Sequence, residues 1–223
     1  IGAEAATSAW PKPTNALTKA GATKPRWCTA TTRLKLDFHP SRITMTSSAT
    51  VIVLAGPVSE AGPRGNTGAS GDPQALAQTL HNVLSTGLPA LVVTPPGMAA
   101  HAQAILPGNH VLTIEDDGEE GPGQWLGRAI RAGVEASPQA GGWLLLPLNG
   151  APLPAVSLHA MADCLPSFPV VHPAPGSTGA RPIGVSGELF SELLRLDSAR
   201  DLERLATRYP AATVDLAAPP SPP

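Results

Sequence analysis

Short apolar runs alternate with amphipathic segments between residues 50 and 216, and this alternation predicts an α/β protein. Runs rich in valine, isoleucine and leucine are typical of strands that are buried on both faces of a parallel sheet. Such runs predict strands at residues 51–54, 90–94, 110–114, 143–146, 170–171, 183–185 and 213–216.

Segments with a helical period separate these runs. One stripe of a helix predicted over Pro73–Leu84 carries Leu76, Leu80, Val83 and Leu84. Further helices are predicted at residues 98–105, at residues 125–134, in the segment ending at residue 165, and as two short helices within residues 190–205. The alternation predicts a three-layer α/β sandwich with a mostly parallel sheet, whose ligand site lies at the carboxyl ends of the strands.

A glycine-rich loop follows the first predicted strand. Its glycines allow positive φ angles and a close approach of the backbone to a ligand; they are Gly56, Gly62, Gly65, Gly68 and Gly71. Asp72 and Pro73 then have the residue types of an N-cap and a first helical position. A strand, a glycine loop and a helix N-terminus together favour phosphate binding. The loop matches neither G-x-x-x-x-G-K-[ST] nor G-x-G-x-x-G, so a flexible surface loop is the alternative interpretation.

The two ends of the chain differ from its middle in composition. Residues 1–44 hold four lysines and three arginines against two carboxylates, a net charge of +5, and show no helical or strand period. We predict that residues 1–44 are a disordered extension, with a basic targeting arm as the alternative. Residues 45–216 are predicted to form the folded domain, and the proline-rich residues 217–223 a disordered tail.

The charge of the predicted domain bears on its partners and location. From Met45 onward the chain has eight arginines, no lysine and fifteen carboxylates, a net charge of −7, which gives no electrostatic reason to expect nucleic acid. No apolar run approaches the roughly 18 residues of a membrane span, so no membrane partner is expected. Cys28 and Cys164 suggest neither a disulfide framework nor a metal cluster, and we predict a cytoplasmic location.

Five stretches of sequence carry a resemblance to a known family. They are LAG at residues 54–56, QTLHNVLSTGLPALVVT at 78–94, WLGRAIRAGVEASP at 125–138, GGWLLLPLNGAPL at 141–153 and ARPIGVSGELFSELLRL at 180–196. In their order and spacing they resemble the MobA-like NTP transferases, which are the molybdenum cofactor cytidylyl- and guanylyltransferases of the nucleotide-diphospho-sugar transferase superfamily. The resemblance covers residues 50–216.

The resemblance implies a fold, a reaction and a site. The fold is the Rossmann-like fold of the superfamily, and the reaction transfers CMP or GMP from a nucleoside triphosphate to molybdopterin with release of pyrophosphate. CTP or GTP and molybdopterin are therefore the candidate ligands, and Mg²⁺ is the cofactor of the family. The candidate nucleotide-binding residues are Leu54, Ala55, Gly56, Arg64, Gly65 and Asn149.

The chain also departs from the family pattern. The lysine of the first loop is absent, and Asn149 and Gly150 align with the glycine and the metal-binding carboxylate of the family. Neither residue provides the anionic oxygen that Mg²⁺ prefers, so no catalytic or metal-binding residue is assigned. Arg64, Arg128 and Arg181 form either a cationic rim for phosphate or solvated surface positions. Three functions stay open: an active nucleotidyltransferase, a degenerate homologue that binds nucleotide or pterin in a regulatory or chaperone role, and a remnant that keeps only the fold.

Overall fold

A computed structural model of the chain describes residues 49–56, 72–115, 121–148, 152–174 and 182–215. The strands in these residues are β1 (Ala49–Leu54), β2 (Ala90–Thr94), β3 (Val111–Thr113), β4 (Gly142–Pro147), β5 (Val170–Pro173), β6 (Ile183–Ser186) and β7 (Ala211–Val214). The α-helices are α1 (Pro73–Leu84), α2 (Pro96–Gln103), α3 (Pro122–Glu135), α4 (Ala155–Cys164), α5 (Phe190–Leu193) and α6 (Ala199–Arg208).

The seven strands form one sheet in the order β3-β2-β1-β4-β6-β5-β7. Strand β6 is antiparallel to β4 and β5, and the other neighbouring pairs are parallel. Strand β1 is central and fully buried, as its run of branched apolar residues predicts. The predicted mostly parallel sheet is therefore confirmed.

The helices cover both faces of the sheet. Along β1, Val51 and Val53 belong to one core cluster with residues of α1, α2 and α4, whereas Ile52 and Leu54 belong to a second with residues of α3, α5 and α6. Alternate side chains of a strand point to opposite faces, so the two clusters are the two sides of the sheet. The three-layer sandwich and the Rossmann-like fold class are confirmed.

Helix α3 lies very close to its neighbours because it carries two glycines on its packed side. A Cβ atom on Gly133 would lie 2.8 Å from Cγ2 of Ile52 on β1. A Cβ atom on Gly127 would lie 2.5 Å from the backbone carbon of Asp197 and 2.7 Å from the amide nitrogen of Ser198, just before α6. Helix α3 is therefore held against the sheet and against the start of α6.

Several element boundaries match the prediction and others shift. Helix α1 and strand β2 have the predicted bounds, and Gly87, with φ of +70°, follows the end of α1 in the left-handed conformation that favours glycine. Strand β7 lies two residues earlier than predicted. Leu84 is predicted on the same apolar stripe of α1 as Leu76, Leu80 and Val83, but the residue is 42% exposed, so this end of the stripe is not buried. The predicted disordered ends, residues 1–44 and 217–223, lie outside the described residues.

No helix among the described residues is both long enough and apolar enough to cross a bilayer. Cys164 on α4 is fully buried in the first core cluster.

Candidate functional site

Strands β1 and β4 end side by side at the carboxyl edge of the sheet. Leu54 pairs with Pro147, and the amide N–H of Leu148 donates to the carbonyl oxygen of Leu54 at 3.0 Å. The chain leaves β1 for β2 on one side and later enters β4 on the other side, so this is the point at which the strand order reverses. In open α/β sheets, ligands bind at such a switch point. The edge between β1 and β4 is therefore the candidate site.

The first two predicted nucleotide-binding residues lie inside the fold. Leu54 and Ala55 are buried, and each side chain belongs to one of the two core clusters. The amide N–H of Ala55 donates to the carbonyl oxygen of Val93 on β2 at 2.9 Å. The structure therefore places Leu54 and Ala55 at the anchored end of β1, and Gly56, the next residue, is partly exposed.

Gly56 packs against a tryptophan that sequence reasoning did not connect with it. A Cβ atom at this position would lie 2.9 Å from Cζ3 and 3.0 Å from Cε3 of Trp125, in the first turn of α3. The Trp125 side chain is buried, and its indole Nε1 has no hydrogen-bond partner among the described residues. Glycine at position 56 therefore allows the backbone at this position to pass directly over the indole ring.

The other predicted nucleotide-binding residues, Arg64, Gly65 and Asn149, lie outside the described residues, as do Gly150 and Arg181. Their roles stay predictions.

The structure does define both flanks of the Asn149 loop. Leu148 and Leu153 are buried, and Asn82 Nδ2 on α1 donates to the carbonyl oxygen of Leu153 at 3.1 Å. The loop is thus held at one end by β1 and at the other by α1.

Arg128 is the member of the predicted arginine rim that the structure describes. Its Nη2 donates to the backbone carbonyl of Glu115 at 3.0 Å. Glu115 lies just after β3, so this bond ties α3 to the carboxyl end of an edge strand. Arg128 is therefore at the predicted edge of the sheet, where it supports the backbone of the segment after β3.

The N-terminus of α1 was the predicted phosphate site, and here the structure changes the interpretation. Asp72 is the N-cap, as predicted, and its Oδ1 accepts the amide N–H of Gln74 at 2.9 Å. Pro73 occupies the next position and has no N–H. The Asp72 carboxylate thus already places a negative charge at the positive end of the helix dipole. The N-terminus of α1 is therefore already capped by the Asp72 side chain.

The Mg²⁺ implied by the resemblance does not fit the described residues. They contain no group of three or more His, Cys, Asp or Glu side chains placed to hold a metal ion. Asp215, which sequence reasoning did not consider, follows β7 at the carboxyl edge. Four strand spacings separate β7 from β1, or about 19 Å at about 4.8 Å each. Asp215 therefore lies outside the site between β1 and β4.

Burial shifts the pKa values of two titratable groups near the sheet. Burial lowers the pKa of His172 on β5, and a hydrogen bond to the backbone of Ala206 raises it by a smaller amount. Partial burial raises the pKa of Asp163 on α4, although the residue is still exposed at the surface, and the charge of His159 opposes that shift. Neither group lies beside the ends of β1 and β4, so these shifts concern stability more than chemistry at the site.

Comparisons with known proteins show similarity in structure. No protein-family model and no curated protein matches the chain. The crystal structure of the Rv0371c homolog from Mycobacterium sp. strain JC1 is 20% identical over 78% of this chain and 88% of that one, with a TM-score of 0.61. Rv0371c from Mycobacterium tuberculosis H37Rv is 24% identical over 77% of this chain and 90% of that one, with a TM-score of 0.56.

Two further structures extend this comparison. A second structure of Rv0371c, in complex with manganese, is 19% identical over 77% of this chain and 89% of that one, with a TM-score of 0.56. A 4-diphosphocytidyl-2C-methyl-D-erythritol synthase is 17% identical over 76% of this chain and 89% of that one, with a TM-score of 0.47. At identities below 25%, the likeness to the Rv0371c structures establishes that this chain shares their fold.

Proposed function

We propose that this chain is a MobA-like nucleotidyltransferase domain that binds a nucleoside triphosphate, CTP or GTP, where β1 and β4 end side by side. The observation that carries the proposal is the switch point, with Gly56 beginning a glycine-rich loop directly over Trp125. Ligands of open α/β sheets bind at this position, and a glycine loop lets the backbone approach phosphate closely.

The proposed site consists of the loop from Gly56 to Gly65 and the loop that contains Asn149. Arg64 supplies a planar guanidinium, which can contact two phosphate oxygens at once. The described contacts fix both flanks of the loop that contains Asn149, because β1 holds Leu148 and Asn82 holds Leu153.

The reaction that the resemblance implies is transfer of CMP or GMP to molybdopterin. An oxygen of the pterin phosphate would attack the α-phosphorus, the bond from that phosphorus to the bridging oxygen would break, and pyrophosphate would leave. Negative charge spreads over the phosphate oxygens in the transition state, so catalysis needs fixed cations around it. In this chain the cations available for that role are arginines, since no lysine follows Met45.

A second candidate is a degenerate homologue that binds nucleotide or pterin without turnover, in a regulatory or chaperone role. The residues themselves favour it. Asn149 and Gly150 are neutral where the resemblance calls for a carboxylate, and the described residues provide no group of metal ligands. Affinity can come from backbone N–H groups and arginines, whereas the transition state needs additional positive charge.

The binding test is a calorimetric titration of the full chain with CTP and with GTP. We expect saturable binding, weakened by roughly 1–3 kcal/mol in Arg64→Ala because a charge-assisted hydrogen bond to phosphate is lost. Arg195→Ala is the matched control, since Arg195 is exposed and follows α5, far along the chain from both loops. If neither nucleotide binds, the proposal is wrong.

Pyrophosphate release separates the two candidates. The chain lacks the loop lysine and the metal-binding carboxylate of the family. We therefore expect little or no release of pyrophosphate from CTP or GTP in the presence of a pterin phosphate acceptor and Mg²⁺. Release by the native protein at ordinary enzyme rates, about 1–1000 per second, would establish the active transferase instead.

A further inference from the structure

Cys164 is the last residue of α4, at the edge of the sheet opposite the candidate nucleotide site. Helix α4 runs from the end of β4 back toward the start of β5. The next residue, Leu165, contacts the start of β4, because a Cβ atom on Gly142 would lie 2.9 Å from Leu165 Cδ1. Gly142 in turn pairs with Ala49, the first residue of β1. The end of α4 and the start of β1 are therefore close together.

The sulfur of Cys164 has a covalent partner. The described residues contain no free cysteine, and Cys164 is in a disulfide. The sequence has one other cysteine, Cys28, in the segment that leads into Ala49 and outside the described residues. Cys164 is fully buried, so a cysteine from a second molecule would have to enter the core to reach it. These observations favour Cys28 of the same chain.

The segment between Cys28 and Ala49 is long enough for this pairing. An extended chain spans about 3.3–3.6 Å per residue, so this segment can reach roughly 70 Å. As a flexible coil its ends would lie about 25 Å apart on average. Both lengths allow Cys28 to reach the end of α4, which lies near Ala49. Residues 29–48 can therefore close a loop at this edge of the sheet without crossing either face.

The helices on the side of Cys164 carry no charge that would repel this segment. Residues 1–44 have a net charge of +5, and Lys24 and Arg26 lie close to Cys28 in the sequence. Helices α1, α2 and α4 contain no lysine or arginine. The arginines of the described helices lie on α3 and α6, on the other face of the sheet; they are Arg128, Arg131, Arg200, Arg204 and Arg208. A basic segment therefore meets less repulsion beside α4.

We propose that Cys28 and Cys164 form a disulfide, which ties the segment before β1 to the end of α4. The bond forms by two exchanges with an external disulfide such as oxidised glutathione. One cysteine thiolate attacks that disulfide and releases a thiol, and the other cysteine thiolate then displaces the second thiol from the mixed disulfide. The two cysteines together lose two protons and two electrons, and the external disulfide is reduced to two thiols.

The pairing has two consequences. The bond encloses most of the folded domain in one covalent loop, so it restricts the unfolded chain and stabilises the fold. Structural disulfides are rare in a reducing cytoplasm, so the bond is at odds with the predicted cytoplasmic location. The inference does not depend on the proposed nucleotide site, because α4 ends at the opposite edge of the sheet.

The test is equilibration of the full chain in a buffer of oxidised and reduced glutathione. Remaining thiols are then alkylated, and peptides are analysed by mass spectrometry without reduction. We expect a peptide pair that joins Cys28 to Cys164 within one chain. In urea, the ratio of linked to reduced protein should fall roughly tenfold, because the whole domain then separates the two cysteines. Cys28→Ser should lower the melting temperature in the oxidising buffer and leave it unchanged under full reduction.

A relocated cysteine tests whether position 28 is specific. The double variant Cys28→Ser, Ser8→Cys carries its cysteine farther from Ala49. A freely flexible chain would lower the linked-to-reduced ratio about threefold, so a larger fall supports the specific pairing and a smaller one overturns it. Alkylation of both cysteines in the oxidising buffer would also overturn the proposal, as would a disulfide between two chains. Loss of nucleotide binding with the bond intact would remove the proposed function and keep this inference.

Discussion

Helices α1 and α4 follow the two strands that meet at the switch point, yet their N-termini are built differently. In α1 the N-cap Asp72 accepts the Gln74 N–H, and Pro73 contributes no donor. In α4 the N-cap is Pro154, and Ala155 and Val156 keep their N–H groups without a described acceptor. The glycine loop marks the first of these helices as the phosphate helix, but among the described residues only the second lacks a side-chain cap.

This difference shows that a strand, a glycine loop and a helix do not suffice to locate an anion. A helix N-terminus binds phosphate through N–H groups that nothing else uses. An aspartate N-cap uses one of them and supplies a competing charge. The identity of the N-cap residue therefore sets how many backbone donors each of the two helices leaves without a described side-chain acceptor.

The largest expected effect is at Gly56, just after β1. Gly56→Ala should lower the free energy of unfolding by about 1–3 kcal/mol, because the added methyl group would lie 2.9 Å from Cζ3 of Trp125. Chemical denaturation would measure the loss. Gly97→Ala on α2 is the control, since no atom lies within 4 Å of its added Cβ. Equal stability of the two variants would mean that Trp125 moves away without cost.

Removing the cap of α1 should have the next largest effect. Asp72→Ala should lower the free energy of unfolding by about 1 kcal/mol, since the Gln74 N–H loses its acceptor. Asp72→Asn should lower the free energy of unfolding much less, because asparagine caps a helix nearly as well as aspartate. Denaturant midpoints of the three proteins give the comparison, and an unchanged midpoint in Asp72→Ala would show that the cap contributes nothing.

The corresponding change on α4 should have the opposite sign. Ser157→Ala should raise the free energy of unfolding by up to about 1 kcal/mol, because it removes a buried hydroxyl that has no described partner. Ser137→Ala is the control, because Ser137 Oγ donates to the Gly133 carbonyl and accepts from Trp143 Nε1. This substitution should lower the free energy of unfolding by about 1 kcal/mol. A loss of stability in Ser157→Ala would reveal a protein partner for that hydroxyl.

The smallest effect concerns the charge at the far end of α4. Burial raises the pKa of Asp163, so the unfolded chain releases this proton more readily than the folded chain. Stability present below pH 3.8, the unperturbed value, is therefore lost as the pH rises through the raised pKa. Asp163→Asn should raise the melting temperature at pH 7, and the gain should shrink toward pH 4.

Asp201 provides a contrast of opposite sign. Its pKa is lowered chiefly by the hydroxyl of Ser198, which donates to Oδ2 at 2.8 Å. This contribution to stability is present above the unperturbed pKa and is lost as the pH falls through the lowered value. Asp201→Asn should therefore destabilise the protein at pH 7. For Asp163→Asn, a gain in melting temperature that does not change with pH would contradict the raised pKa of Asp163.

Much of the fold could be predicted because its signals are local. Asp72, Pro73 and Gly87 mark both ends of α1 within a few residues of the helix itself, and its predicted bounds match. The exposure of Leu84 could not be predicted in this way. The residue lies next to Val83 on the helical stripe, and only the packing of α1 on its neighbours decides which of the two is buried.

The site was less predictable, since its contacts join distant parts of the chain. The approach of Trp125 to Gly56 links α3 to the end of β1, and no local pattern marks it. Ser157 carried no local signal either, because the sequence does not show whether a hydroxyl in the first turn of a helix is buried or bonded. That the hydroxyl finds no other described partner depends on the whole fold.

The three glycine contacts of α3 have different evolutionary consequences. Gly56 faces Trp125 and Gly133 faces Ile52, so a larger residue at either position can be accommodated by a smaller side chain opposite. Gly127 faces the backbone of Asp197 and Ser198, which every amino acid shares. No exchange at positions 197 or 198 would make room for a side chain there. Among homologues, positions 56 and 133 should therefore vary together with their partners, whereas position 127 should stay glycine.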